Sequence, residues 1–136
     1  MEAQVKAAIE KYRRGDKESA FFELLEIPGD VLPDLIAAYN ADPIVDIRAF
    51  LVKVSWQRRD RSALDFLGDA LNAPEEDIWQ QALDGFVTFA SPESLRILSL
   101  ARDRVFGNES DGKRFHRWLE EAIQQVELEI RRLADL

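Results

Sequence analysis

The fold is decided by the stretch DIRAFLVKVSWQRRDRSALDFLGDALNAPEEDIWQQALDGFVTFASPESLRILSL, residues 46–100, because this stretch carries one pattern twice. The segment DIR at 46–48 returns as DIW at 77–79, about 31 residues later. In the same way SALDFL at 62–67 returns as ESLRIL at 93–98. A period of this length is typical of helix–turn–helix units that stack and bury their apolar faces only against their neighbours.

Helical signals continue outward from this stretch in both directions. An earlier copy of the second segment, LPDLIAAYN at 32–40, aligns with LDFLGDALN at 64–72. Apolar residues recur at helical spacing throughout, and no strand-like alternation exceeds a few residues. The chain is therefore predicted to be all-α. Eight helices are expected, at about 3–14, 16–25, 30–40, 43–56 and 62–71, then from 74, from 92, and at 113–134.

Three helix starts carry a proline that we expect at the first helical position, where its missing N–H costs nothing. They are Asp42-Pro43, Ala73-Pro74 and Ser91-Pro92, and the aspartate and the serine are good capping residues. We expect one domain over 1–136. Its parts are capping helices at 1–28, core repeats at 30–105, a loop at 106–112 and a long C-terminal helix at 113–134.

The second helices of the pairs align with one another. They read Ile47-Arg48…Leu51…Val54-Ser55 and Ile78-Trp79…Ala82…Gly85-Phe86, with Phe115-His116…Leu119…Ala122-Ile123 as a degenerate last copy. Over residues 30–130 the chain resembles the short bacterial HEAT-like repeats of the PBS-lyase type. This resemblance implies a right-handed α-α superhelix, a HEAT-like solenoid, in which the second helices line the concave side and bind protein partners. Gly85 costs about 1 kcal/mol within a helix, so we expect a packing reason for it.

Charge limits the partners that we expect. The net charge is −8, and residues 62–95 contain seven acids but no lysine or arginine. Binding to nucleic acid requires the opposite sign, so we expect none. An acidic stretch suits a basic protein partner, whose approach it would accelerate. The same acids also fit a merely solvated surface with some residues placed at helix starts.

Residue types argue against catalysis and metal binding. Cysteine is absent and His116 is the only histidine, so we predict no catalytic residue, no metal site and no cofactor. Glu75-Glu76-Asp77 is interpreted as a helix start, because consecutive helical residues do not converge on one ion. No apolar run has the length of a membrane span or a signal peptide. We therefore expect a soluble, cytoplasmic protein without a membrane contact.

Tryptophans and the second-helix surface supply the candidate binding residues. Trp56 and Trp118 are expected in the core. Trp79 has two interpretations: it packs across the repeat junction, or it is partly exposed and anchors an interface. The predicted partner-binding residues are Arg48, Lys53, Trp79, Gln80 and Asp84.

These observations favour a non-enzymatic protein–protein interaction module of the HEAT-repeat type. Its partner would be a basic protein, and its role that of an immunity protein, an inhibitor or a scaffold. One alternative is an accessory or lyase-like protein that handles a chromophore or another apolar ligand, as the HEAT-like phycobilin lyases do. Another alternative is a scaffold that self-associates through its terminal helices.

Overall fold

The chain folds into eight α-helices and contains no β-strand. A computed structural model describes all residues from Met1 to Leu136. Short 3-10 turns at Arg61–Ala63 and Ala101–Asp103 precede α5 and follow α7. The helices are α1 Glu2–Arg13, α2 Lys17–Glu26, α3 Leu32–Ala41, α4 Val45–Gln57, α5 Leu64–Leu71, α6 Glu76–Phe89, α7 Pro92–Leu100 and α8 Glu109–Ala134. The prediction of an all-α protein with eight helices is confirmed.

Helices pack in a regular order along the chain. Each odd-numbered helix packs against the even-numbered helix that follows it, which gives the pairs α1–α2, α3–α4, α5–α6 and α7–α8. Even-numbered helices also pack on one another in sequence, α2 on α4, α4 on α6 and α6 on α8. A single cluster of buried apolar side chains runs from Val5 to Val126 between these helices. The core is therefore continuous from the first helix pair to the last.

Helix starts agree only in part with the sequence prediction. Ser91 caps α7 as expected, because its Oγ accepts the Ser94 N–H at 3.1 Å and Pro92 opens the helix. The prediction for Pro43 is wrong, since α4 begins at Val45. The buried Asp42 carboxylate accepts the Ile44 N–H at 2.9 Å and binds Arg13, and this turn holds Ile44 in an extended conformation.

Two other boundaries differ for similar local reasons. Pro74 lies before α6 rather than inside it, because Glu75 is the extended capping residue and the helix begins at Glu76. The last helix begins at Glu109 instead of residue 113, so the loop before it is shorter than predicted. Asn108 causes this difference, since its side chain accepts the Asp111 N–H at 3.2 Å and caps the helix. Gly112 therefore lies within the first turn of α8 instead of in the loop.

Two arginines bind the carbonyl ends of earlier helices. The Arg58 guanidinium donates four hydrogen bonds of 2.7 to 3.0 Å to carbonyl oxygens between residues 24 and 29, where α2 ends. Arg104 donates two, at 2.7 and 2.9 Å, to Leu71 and Ala73 at the end of α5. The last carbonyl groups of a helix have no partner within it. Arg58 therefore joins the end of α2 to the end of α4, and Arg104 joins the end of α5 to the segment after α7.

Candidate interaction surface on the even-numbered helices

Two pockets are lined mainly by residues of the even-numbered helices α2, α4, α6 and α8, and we call the surface that carries these residues the even-helix face. The first, the aromatic cleft, lies between α1, α2 and α4 and has a volume of about 430 Å³. The second, the Trp118 groove, lies between α6 and α8 and has a volume of about 190 Å³. Gln81 lines the cleft and its neighbour Gln80 lines the groove, so α6 alone separates the two sites.

Stacked rings form the floor of the aromatic cleft. Tyr12 of α1 stacks on Phe50 of α4 with ring centroids 4.2 Å apart, and Phe21 of α2 lies 6.5 Å from Phe50. The Tyr12 hydroxyl donates a hydrogen bond to Asp46 Oδ2 at 2.7 Å. Burial, and then this bond to a carboxylate, raise the pKa of Tyr12. The Tyr12 ring is thus held in place by packing against Phe50 and by the hydrogen bond from its hydroxyl to a charged acceptor.

Lysine ammonium groups lie over two of these rings. Lys53 Nζ lies 5.1 Å from the centroid of Phe21, and Lys17 Nζ lies 5.2 Å from that of Tyr12. Lys17 also pairs with Asp46 at 3.6 Å, whereas Lys53 makes no ion pair within the chain. Phe22, which is 49% exposed, completes the rim. The cleft therefore offers apolar surface beside a cation that has no partner.

The Trp118 groove combines an exposed ring with unpaired carboxylates. Trp118 of α8 is 46% exposed, whereas Phe115 and Leu119 on either side of it in the same helix are fully buried. Asp84 of α6 and Glu121 of α8 line the groove, and no lysine or arginine does. Partial burial raises the pKa of Asp84, although the residue as a whole is exposed, because its carboxylate loses some of its water without gaining a cation. The groove therefore bears two negative charges that the fold leaves uncompensated.

Three of the predicted partner-binding residues lie on the even-helix face. Lys53 lines the aromatic cleft, and Gln80 and Asp84 line the Trp118 groove. Arg48 does not lie at either site. Its guanidinium donates to the Tyr39 carbonyl at 3.2 Å, covers the Tyr39 ring at 4.2 Å and pairs with Glu75 at 3.6 Å. Arg48 thus links α3 and α4 to the start of α6, which is a structural role.

The structure decides between the two interpretations of Trp79. This side chain is only 3% exposed and meets Phe115 edge-to-face with ring centroids 5.2 Å apart, so it packs across the junction between α6 and α8. The interpretation of Trp79 as an exposed interface anchor is wrong. Trp56 is 9% exposed, which confirms its predicted place in the core. The prediction of a buried Trp118 is also wrong, because this residue lies at the edge of the apolar stripe of α8.

The acids of residues 62–95 do not form one acidic surface. Three of them are paired with bases: Glu75 with Arg48 at 3.6 Å, Glu76 with Arg114 at 2.7 Å, and Glu93 with Arg96 at 3.8 Å. Asp65 and Asp69 line a separate depression between α5 and α7. Of the seven, Asp84 alone lines a site on the even-helix face. Glu121, which lies outside the predicted stretch, adds the second charge there.

The remaining chemical candidates have structural surroundings. His116 Nε2 lies 3.0 Å from the Arg104 carbonyl oxygen, and its ring meets Phe115 and Phe106 edge-on. Histidine, aspartate and glutamate side chains form no group of three or more that could hold a metal ion. The eight helices include none that is both long enough and apolar enough to cross a membrane.

Comparison with known proteins gives no family assignment. Neither the models of protein families, nor the curated protein sequences, nor the solved structures contain a match to this chain.

Proposed function

We propose that this chain is a non-enzymatic protein-interaction module of the HEAT-like solenoid type, and that it binds its partner through the even-helix face. The order of packing supports the solenoid. Each helix pair contacts the next one, and the second helices α2, α4, α6 and α8 pack on one another in chain order. Stacked repeats require this order, since each unit buries its apolar side only against its neighbours.

One observation carries the choice of surface: the aromatic cleft and the Trp118 groove flank the same helix, α6. Each site exposes a large aromatic side chain, Phe22 at 49% and Trp118 at 46%. Aromatic residues in concave surroundings are typical anchors of protein interfaces. A bound segment that crosses α6 could contact both sites, since residues of α6 line each of them.

The charge of the Trp118 groove favours a basic protein as the partner. Asp84 and Glu121 have no cation within the chain, and the net charge of −8 would attract a positive partner from a distance. An immunity protein or an inhibitor that covers a basic enzyme fits this description, and so does a scaffold for a basic subunit.

Quantitative capture from the native lysate tests this proposal. The wild-type chain is compared with Asp84→Lys and Trp118→Ala, and with Asp65→Lys as the matched control. Asp65 is an exposed acid of α5, away from the even-helix face, so the control makes the same change of charge elsewhere. We expect one basic protein that moderate salt releases, that both groove variants lose and that the control retains. Equal recovery of the same proteins by all four chains would contradict the proposal.

A second candidate function is the handling of a small apolar ligand, which the aromatic cleft favours. Its volume of about 430 Å³ lies in the range of ordinary ligand sites, and four of its lining residues are aromatic. Native mass spectrometry of the protein purified from its own source, with an absorbance spectrum above 300 nm, tests this alternative. A retained ligand that Phe22→Ala loses would support it, and a ligand-free mass without such absorbance would count against it.

A further inference from the structure

We infer that the Trp118 groove is a subsite for one arginine side chain of the protein partner. This inference rests on the proposed function and adds to it the chemical identity of the group that is bound. The groove supplies a face for a planar cation, two carboxylates to pair with it and an apolar floor for its aliphatic stem.

The floor and the ring come from residues at helical spacing. Leu83 and Val87, one turn apart on α6, and Ala122 of α8 supply the apolar lining of the groove, a strip in which Val87 is the most exposed of the three. Trp118 lies one turn before Ala122, so its exposed indole stands at the side of this strip. A guanidinium group stacks on an indole more favourably than an ammonium group does, because it is planar and less strongly hydrated.

The two carboxylates lie on opposite helices of the groove. Asp84 belongs to α6 and Glu121 to α8, and neither takes part in an ion pair within the chain. The five N–H donors of a guanidinium can serve both at once, whereas the ammonium group of lysine is a point charge. Gln80 and Gln125 also line the groove and offer amide oxygens for the remaining donors.

Neighbouring acids show how this chain satisfies a carboxylate with arginine. Glu120, next to Glu121 in sequence, receives two hydrogen bonds from Arg102, at 2.8 and 3.1 Å. Glu76, in the first turn of α6, receives two from Arg114, at 2.8 and 2.7 Å. Asp84 and Glu121 receive none from either arginine. An arginine from a partner would give Asp84 and Glu121 the kind of hydrogen bonds that Glu120 and Glu76 receive from arginines of this chain.

Nuclear magnetic resonance provides a probe with built-in references. The chain has three tryptophans, hence three indole N–H signals, and those of the buried Trp56 and Trp79 report whether the fold is intact. The probes are three blocked pentapeptides that differ only in a central arginine, lysine or glutamine. We expect the arginine peptide to shift the Trp118 signal with an affinity about fivefold higher than the lysine peptide, and the glutamine peptide to have no effect.

Matched variants complete the test. Asp84→Asn and Glu121→Gln should each weaken the binding of the arginine peptide, and Asp65→Asn should leave it unchanged. Equal affinities for the arginine and lysine peptides, or a shift that neither groove variant alters, would overturn the inference. If the groove variants still lose the partner in the capture experiment, the proposed function stands while the arginine subsite fails. If capture is also unaffected, both fail.

Discussion

Gly85 lies directly against Trp56, so that a methyl group at position 85 would meet the Cβ and Cδ1 atoms of Trp56 at 3.0 Å. The same methyl group would lie 2.8 Å from Leu67 Cδ1. This close approach of α6 to α4 and α5 is the packing reason expected for a glycine within a helix. The neighbouring helices can come this close only because position 85 has no side chain.

We predict that Gly85→Ala destabilises the protein although alanine is the better helix former. The gain of about 1 kcal/mol in helix propensity is smaller than the cost of overpacking, about 1–3 kcal/mol. Chemical denaturation measures the free energy of unfolding. Gly68→Ala is the control, because a methyl group there meets only Ile97 Cγ2 at an ordinary 3.6 Å, and we expect it to stabilise. A Gly85→Ala variant at least as stable as wild type would contradict this account of the interface.

A second prediction concerns Arg59, which follows α4 in the left-handed region at a φ of 61°. Glycine adopts this conformation without strain, whereas a side chain costs about 1 kcal/mol or more there. Arg59 is exposed. Arg59→Gly should therefore raise the midpoint of thermal unfolding. Arg61→Gly, an exposed position in the following 3-10 turn, should lower it, and the opposite order of the two midpoints would contradict the prediction.

The third prediction concerns the four hydrogen bonds from Arg58 to carbonyl groups at the end of α2. Lysine cannot direct donors to four separate oxygens, so Arg58→Lys should leave some of them without a partner. We expect a loss of about 2 kcal/mol in the free energy of unfolding. Arg61→Lys preserves the charge at an exposed site and should change little. Hydrogen exchange should also be faster at the end of α2 in Arg58→Lys. Unchanged exchange there would show that the four hydrogen bonds from Arg58 do not stabilise the end of α2.

Helices and their order could be predicted from the sequence because burial follows the repeat. Leu51 and Ala82, which align in the second helices, are both fully buried. Boundaries were less predictable, since they depend on side chains that compete for backbone groups. The helix α4 begins later than predicted because Asp42 binds the Ile44 N–H. The helix α8 begins earlier than predicted because Asn108 binds the Asp111 N–H.

The candidate site could be predicted only in part, because it depends on how helices of different units face one another. Asp84 and Gln80 follow from the second-helix pattern. Trp118 and Glu121 do not, since their importance comes from the groove between α6 and α8. A tryptophan at the edge of an apolar stripe was the signal available in the sequence. The acidic stretch was misleading, because Arg48 and Arg114 from other units neutralise two of its acids.

The fourth prediction links the Trp118 groove to pH. Partial burial of the otherwise exposed Asp84 raises the pKa of its carboxyl group in the folded state, so the folded protein binds this proton more tightly than the unfolded chain does. Its ionisation therefore lowers the free energy of unfolding as the pH rises from the usual aspartate value, 3.8, through the raised folded-state pKa. Asp84→Asn should be more stable than wild type at pH 7, and this advantage should disappear toward pH 4.

Asp60 is the control of opposite sign. A hydrogen bond from the Ser62 backbone N–H lowers the pKa of Asp60, so ionisation of Asp60 favours the folded state. Asp60→Asn should therefore be less stable than wild type at pH 7, and this difference should shrink near pH 3. Denaturation at several pH values measures both differences. If Asp84→Asn is no more stable than wild type at pH 7, the Asp84 carboxylate does not destabilise the folded state. A cost that appears as predicted would mean that the chain retains a destabilising charge at the groove where we propose that a partner's arginine binds.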